Sequence, residues 1–362
     1  MNPLQQLGEL DQAVWLDSIK RSYLGEGGYI AKLIEAGELK GLTSNPTIFD
    51  AALSGDTDDS YDEQLRELRG SDPRTALWAI MKADVRGACD EFLQLWQRTD
   101  GRHGQVSIEL DPSKAYDTEA TVADGVALFA ELDRPNLMVK VPGTEPGLAA
   151  ITRLLAEGVN VNVTLLFSVA RYDAVITAFM DGVRQRLERN EDVSRLTSVA
   201  SFFVSRVDSK VDALFDNGVQ PQAPLTAGVA NAWVAYDLFR QRFADDGEFG
   251  ELAAQGVRRQ RPLWASTSTK NDAYSDVLYV EQLAGRDTVN TMPEATVEAT
   301  RDHADVADRL TGSADRAREH LDRLRQEGID LAQITKELES EGVDKFEKSF
   351  RSAVDTVAGH VG

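Results

Sequence analysis

Short apolar segments of strand length alternate with longer helical patterns along most of this 362-residue chain. This rhythm is typical of parallel strands that are joined by helices. The segments that fit strands are 13–17, 40–43, 106–110, 137–141, 159–165, 198–203, 262–266 and 276–280. Strands in this number and order predict a (β/α)8 or TIM barrel, which we expect to form a single domain over residues 1–362. The helical patterns at about 50–100 and 295–362 predict additional peripheral and C-terminal helices.

Polar side chains lie near the carboxyl ends of several predicted strands, all on one face. Successive side chains of a strand point to opposite faces, so the apolar neighbours of each polar residue face the other way. In a barrel the outer face packs on the helices, whereas the carboxyl ends of the strands form the functional site. The polar face carries Asp17, Glu109, Lys140, Asn162 with Thr164, and Ser201 with Phe203. A structural network accounts for two or three such residues, but convergence from five strands favours catalysis.

Lys140 lies inside the apolar run 136–147, which ends in a Pro-Gly turn and then a helix. An isolated lysine in such a run ordinarily reaches solvent or pairs with an acid. A lysine that points into a barrel loses hydration, which disfavours the ammonium and leaves an amine nucleophile. Such an amine forms a Schiff base with a carbonyl substrate. The polar residues on the neighbouring strands favour this second interpretation.

The composition narrows the class of protein. A formal net charge of -21 argues against binding to nucleic acid over a broad surface, although it permits a local basic pocket. Cys89 is the only cysteine, so no intrachain disulfide can form, and we see neither a signal peptide nor a membrane-spanning run. We therefore expect a cytoplasmic protein without nucleic-acid or membrane partners. The four histidines have no metal-ligand spacing, and we expect no metal or cofactor.

Four segments together carry a family resemblance: 41–47 (GLTSNPT), 106–111 (VSIELD) with 116–119 (YDTE), 138–143 (MVKVPG) and 158–168 (GVNVNVTLLFS). On these segments the chain resembles the transaldolase family, in the right order from about residue 10 to residue 300. The length and the acidic helical end are similar to the long bacterial form. The resemblance implies a class I aldolase mechanism without metal, acting on sugar phosphates in the non-oxidative pentose phosphate pathway.

The resemblance also implies catalytic roles. Lys140 matches the Schiff-base lysine of the family. Asp17 matches the acid/base that takes the proton from the C4 hydroxyl during carbon–carbon cleavage. Glu109 matches a carboxylate that works through a bound water, and Thr164 matches a hydroxyl that helps to hold that water.

The remaining implied roles concern substrate binding. Asn45 and Asn162 match amides that orient the hydroxyls of the dihydroxyacetone unit. Ser201 and Arg206 match phosphate-binding residues, and Phe203 matches an aromatic residue that lines the site. The chain departs from the family at Phe202, where Pro is common, and in 265–271, where Lys270 takes the place of a phosphate-binding Arg.

Several alternatives stay open. Asp17 and Asn45 can each cap a helix, Glu109 can be a salt-bridge partner of Lys140, and Arg206 can be a surface residue of the following helix. At the level of function, the alternatives are an aldolase that releases free dihydroxyacetone from fructose 6-phosphate, and a barrel that binds sugar phosphates without turnover. The sequence leaves open whether the protein is a monomer or a homodimer.

Overall fold

The computed structural model describes residues 1–54, 59–215, 218–221 and 223–362. Its centre is a closed barrel in which each strand pairs in parallel with the next and the last pairs with the first. The strands are β1 (Gln12–Leu16), β2 (Gly41–Thr43), β3 (Gln105–Glu109), β4 (Leu137–Pro142), β5 (Val161–Leu166), β6 (Ser198–Phe203), β7 (Arg261–Ala265) and β8 (Thr288–Met292). The predicted (β/α)8 barrel is confirmed.

Helices connect these strands and continue beyond the last one. The α-helices of the described ranges are α1 (Pro3–Glu9), α2 (Tyr29–Glu35), α3 (Pro46–Leu53), α4 (Asp62–Glu67), α5 (Pro73–Arg98), α6 (Thr118–Leu132), α7 (Glu145–Ala156), α8 (Val169–Glu188), α9 (Ser205–Asp212), α10 (Ala227–Arg242), α11 (Glu248–Ala253), α12 (Leu278–Gln282), α13 (Glu294–His303), α14 (Ala314–Gln326) and α15 (Leu331–Val361). None of these helices has the length and hydropathy that a bilayer span requires.

The additional helices fall where the sequence placed them. Helices α3, α4 and α5 follow β2, although the predicted helical region also includes residues 55–58, which lie outside the described residues. Helices α14 and α15 follow α13 at the C-terminal end. Helix α15 packs against α3, α5 and α9, so the end of the chain returns to the barrel rather than extending away from it.

The apolar residues of the strands form two layers. Outward-facing Val14, Ile108 and Val139 join the large cluster beneath the helices. Inward-facing Trp15 and Met138 belong to a second cluster that fills the barrel and continues into α15. A Cβ on Gly41 of the neighbouring strand would lie 2.6 Å from the Trp15 indole, so only glycine leaves room for this ring. The strand pattern of alternating faces is therefore the main determinant of the barrel.

The eighth strand was predicted wrongly. Segment 276–280 contains the start of α12, where Leu278, Tyr279 and Val280 are all buried, and the strand is formed by 288–292 instead. A short apolar run that is buried on several sides looks the same in sequence whether it is a strand or a helix.

The alternation along β5 also breaks where the sequence predicted none. Leu165 has a φ of 62°, and the pairing with β6 shifts between Val163 and Leu166. As a result Leu165 joins the inner cluster and Leu166 the outer one, which reverses the predicted faces. This irregularity has the character of a β-bulge, which re-aims side chains near the end of a strand.

Candidate active site

Lys140 and Glu109 face each other at the carboxyl ends of adjacent strands. They are direct partners in the pairing of β3 with β4. Lys140 Nζ donates to Glu109 Oε1 at 2.9 Å and to the carbonyl oxygen of Ser44 at 3.1 Å. Lys140 is 6% exposed and Glu109 is 4% exposed. Burial raises the pKa of the Glu109 carboxyl, and the charge of Lys140 opposes that shift, so this carboxyl holds a proton more readily than an ordinary glutamate.

A separate chain of hydrogen bonds joins three side chains on β3, β5 and β6. Asn162 is the β5 partner of Lys140. Its Nδ2 donates to the Ser107 hydroxyl at 3.0 Å, and its Oδ1 accepts from the Ser201 hydroxyl at 2.7 Å. Asn162 is fully buried, so it holds Ser201 in place from behind the wall of the site.

Asp17 lies directly after β1, at the same end of the barrel. Asn45 Nδ2 lies 3.4 Å from Asp17 Oδ1, while Asn45 Oδ1 accepts from the backbone N–H of Ile48 at 3.1 Å. Asn45 is thus both the N-cap of α3 and a neighbour of Asp17, whereas no α-helix begins at Asp17. Burial raises the pKa of the Asp17 carboxyl, although Lys140 and Arg206 both attract its charged form.

Thr164 presents its hydroxyl to the same space. The residue is 1% exposed, and its Oγ1 has no hydrogen-bond partner within the described residues. It lies on β5 just before the irregularity at Leu165, so its side chain still faces inward. A buried hydroxyl without a protein partner is costly, and such a group ordinarily binds a substrate or a water.

Arg206 is one of the basic residues that line the site. Its guanidinium carbon lies 5.0 Å from the centre of the Phe203 ring and 5.9 Å from that of Phe346. Over the described part of the chain it makes no hydrogen bond or ion pair. Burial lowers the pKa of this guanidinium, and the charges of Glu109 and Asp17 oppose the shift. Lys270 lies in the loop after β7 and donates to the Ser268 hydroxyl at 2.5 Å.

These groups surround a cavity of about 400 Å³ at the carboxyl end of the barrel. The predicted residues that line it are Asp17, Asn45, Lys140, Thr164, Ser201, Phe203, Arg206 and Lys270. Glu109 and Asn162 lie behind the lining and reach it through Lys140 and Ser201. The structure therefore brings the predicted set together, with eight members on the surface of the cavity and two supporting them.

Two lining residues that the sequence did not single out come from the C-terminal helix. Lys345 and Phe346 of α15 close one side of the cavity, and the Phe346 ring centre lies 5.9 Å from Lys140 Nζ. Nothing in the local sequence distinguishes this pair from the other residues of a charged amphipathic helix. Only the packing of α15 over the barrel reveals it.

A second cavity of about 440 Å³ lies at the other end of the barrel. It is rich in arginine, but Arg102, Arg258 and Arg259 are ion-paired with aspartates. Its lining contains no lysine, cysteine or histidine. The smaller cavity at the carboxyl ends combines a buried amine with neighbouring carboxyl groups of raised pKa, so it is the stronger candidate.

The site has the parts that imine chemistry requires: a buried amine, two carboxyls that can exchange protons with it or with a substrate, and a basic pocket for an anionic group. Within the described ranges, no group of three histidine, cysteine or acidic side chains is arranged to hold a metal ion. A site with these parts at the carboxyl ends of a (β/α)8 barrel is typical of lysine-dependent aldolases and aldol transferases.

Comparison with known proteins narrows this class. Residues 14–357 match the family described as "Transaldolase/Fructose-6-phosphate aldolase". The chain belongs to this family. It is 47% identical to a protein named "Transaldolase" from Frankia alni, with 100% of this chain and 98% of the relative covered. Relatives of the same name from Saccharopolyspora erythraea and Mycolicibacterium smegmatis are 47% and 44% identical, over 98% and 99% of this chain and 96% and 98% of theirs.

Proposed function

We propose that this chain is a transaldolase, which transfers a dihydroxyacetone unit from sedoheptulose 7-phosphate to glyceraldehyde 3-phosphate in the non-oxidative pentose phosphate pathway. The observation that carries the proposal is the Lys140 amine, which lies on the cavity surface and donates to the buried Glu109 carboxylate at 2.9 Å. The names of relatives that cover nearly the whole chain favour the same activity.

The first step is imine formation at Lys140. The neutral amine attacks the C2 ketone of the donor, and the resulting carbinolamine loses its oxygen as water to leave an iminium ion. A proton must leave the ammonium before attack and must reach the departing hydroxyl afterwards. Glu109 is adjacent to the amine, and its raised pKa suits it to both transfers, directly or through a water held by Thr164.

The second step breaks the C3–C4 bond. Asp17 takes the proton of the C4 hydroxyl, the C4 oxygen becomes the aldehyde of the released aldose phosphate, and the bonding electron pair moves toward the iminium nitrogen to form an enamine. The three-carbon unit therefore stays covalently bound to Lys140. The acceptor aldehyde then enters, the enamine attacks it, Asp17 returns the proton, and water releases the product.

The rest of the cavity orients the substrate. Asn45 lies beside Asp17, where it can bind the hydroxyls of the three-carbon unit, and Asn162 supports the wall through Ser201. Arg206 and Lys270 lie on the side where the phosphate of the sugar would lie, and Phe203 stacks on Arg206. Burial of Arg206 without a carboxylate partner favours an anionic ligand.

A coupled assay tests the proposal against the other activity in the family description. The protein is supplied with fructose 6-phosphate, with and without erythrose 4-phosphate, and release of glyceraldehyde 3-phosphate is followed. A transaldolase turns over only with the acceptor, whereas an aldolase turns over without it and releases dihydroxyacetone. The control is Lys140→Met, which keeps the length of the side chain but cannot form an imine. Turnover by that variant, or none by the wild type, would overturn the proposal.

We further propose that the protein acts in the cytoplasm and that the barrel and its added helices form one domain. The lone cysteine and the site's small-molecule chemistry support this location. The contacts of α15 with helices from the first third and the middle of the chain support the single domain. Monomer and homodimer are both compatible with the site, because every residue assigned to it comes from one chain.

A further inference from the structure

Helix α15 approaches the open end of the barrel closely at one point. A Cβ on Gly342 would lie 2.9 Å from the Leu165 side chain and 3.6 Å from Phe167, so the glycine allows the helix to rest on both residues. The turn that follows carries Lys345 and Phe346 to the cavity. The irregularity of β5 is what turns Leu165 toward this helix.

Lys345 then lies among cations. Together with Arg206 and Lys270 it lines one side of the cavity. The charge of Arg206, followed by burial and the charge of Lys270, lowers the pKa of the Lys345 amine, so both of these cations act on Lys345. Among the described residues of the lining Asp17 is the one carboxylate, and the charges of Lys140, Arg206 and Lys270 all favour its ionised form.

This grouping is unusual in so acidic a chain. With a net charge of -21, acids are in excess, and an exposed lysine such as Lys345 could readily have had one as a partner. Lys210 on α9, for example, contacts both Glu337 and Glu341 of α15. Neither Lys345 nor Arg206 has a hydrogen bond or ion pair within the described ranges. Like charges that converge without a carboxylate in direct contact store repulsion, and a dianion bound between them removes it.

We propose that Lys345 is a third cation of the substrate-phosphate site, so that the C-terminal helix contributes to selection of phosphorylated sugars. The inference rests on the proposed transaldolase function. Arg206 offers a planar fork, whereas Lys270 and Lys345 are single point charges. A phosphate monoester has three terminal oxygens, so one fork and two ammonium groups match it. The donor's phosphate and the acceptor's phosphate enter the same pocket in turn, because each belongs to the aldose part of the substrate.

The test compares phosphorylated with unphosphorylated substrates in Lys345→Ala. We expect KM for glyceraldehyde 3-phosphate and for fructose 6-phosphate to rise about 5- to 20-fold, the effect of one partly exposed charge-assisted hydrogen bond, with little change in kcat. At a saturating concentration of the donor, KM for unphosphorylated glyceraldehyde as acceptor should not change. Inhibition by inorganic phosphate should weaken in parallel, and Lys345→Arg should restore most of the affinity.

The matched control is Lys348→Ala. Lys348 is exposed on the same helix and is absent from the lining, so this variant removes the same charge without touching the pocket. Equal changes in both variants would assign the effect to the overall field of the protein and overturn the inference. An unchanged KM in Lys345→Ala, or equal losses with glyceraldehyde and its phosphate, would overturn it as well. Failure of the proposed function is separable, because the wild type would then lack turnover with any acceptor.

Discussion

Replacement of Asp17 by asparagine should separate bond cleavage from imine formation. The two side chains have the same shape, but asparagine cannot take a proton from the C4 hydroxyl. Within the described residues the Asp17 carboxylate has one hydrogen-bond partner, Asn45, whose Nδ2 lies 3.4 Å away, so little hydrogen bonding is lost. Lys140 and Glu109 keep their 2.9 Å contact, and the iminium should still form.

The kinetic cost follows from the role of a general base. Such a group contributes about 10²- to 10⁴-fold to rate, so kcat of Asp17→Asn should fall by that factor, which corresponds to ~3–5.5 kcal/mol of transition-state stabilisation. KM for phosphorylated substrates should change little, because within the described residues the Asp17 side chain contacts Asn45 and makes no hydrogen bond or ion pair with Arg206 or Lys270. In the wild type, kcat should fall as the pH drops through the raised pKa of Asp17, which lies above the usual 3.8.

The same substitution should stabilise the fold. The pKa of Asp17 is raised in the folded state, so this carboxyl favours folding when it is protonated at low pH, and that contribution is lost as the pH rises through the folded pKa. At pH 7 the wild type therefore holds a buried carboxylate at a cost that asparagine avoids. We expect the free energy of unfolding to increase on the order of 1 kcal/mol at pH 7, and the difference to shrink at acidic pH.

Three measurements on Asp17→Asn test whether Asp17 is the base that cleaves the C3–C4 bond. They are steady-state kinetics, borohydride trapping with fructose 6-phosphate, and urea unfolding at pH 7 and pH 4. Asp133→Asn is the control, because Asp133 is exposed after α6 and distant from the cavity. A kcat within tenfold of the wild type would refute the role of Asp17 as base. Loss of trapping together with loss of turnover would show that the residue is needed before cleavage.

Four further substitutions, one of them with its own control, probe other parts of the account. Glu109→Gln should reduce kcat about 10²-fold by slowing imine formation, seen as slow appearance of the borohydride-trapped adduct; a normal trapping rate would argue against proton transfer by Glu109. Arg206→Ala should raise KM for phosphorylated substrates about 50-fold, and Lys270→Ala about fivefold. A larger effect in Lys270→Ala than in Arg206→Ala would contradict a bidentate contact between the Arg206 guanidinium and the phosphate. Gly41→Ala should lower the free energy of unfolding by ~1–3 kcal/mol through overpacking on a buried indole. Gly8→Ala should raise it slightly, because a Cβ there would make only an ordinary contact with the Lys40 side chain at 3.9 Å. Equal effects in urea melts would refute the packing argument.

The barrel was predictable because apolar residues alternate along a strand wherever one face packs on helices and the other faces the barrel interior. Segment 288–292 (TVNTM) forms a strand that this pattern does not identify. Thr288 and Asn290 are buried at the barrel's seam, so the strand lacks the apolar excess that marks the others. The apolar segment 276–280 was chosen in its place, although it begins a helix that is buried on several sides.

The sequence predicts which residues of the candidate site lie close together only where those residues lie at the carboxyl ends of strands. Glu109, Lys140 and Asn162 occupy one register across β3, β4 and β5, and this follows from strand pairing alone. Strand pairing does not reveal which of these residues reach the cavity surface. Asn162 is hydrogen-bonded to Ser107 and Ser201 and does not line the cavity. Lys345 and Phe346 were not predictable, because a distant helix reaches the site through tertiary packing that leaves no local signal.

Borohydride trapping tests the central claim most directly. The protein is incubated with fructose 6-phosphate in the absence of an acceptor, reduced with borohydride and mapped by peptide mass spectrometry. The account predicts one adduct of dihydroxyacetone size on Lys140, since the three-carbon unit stays bound after the aldose phosphate leaves. An adduct on another lysine, or no adduct on folded protein, would contradict it.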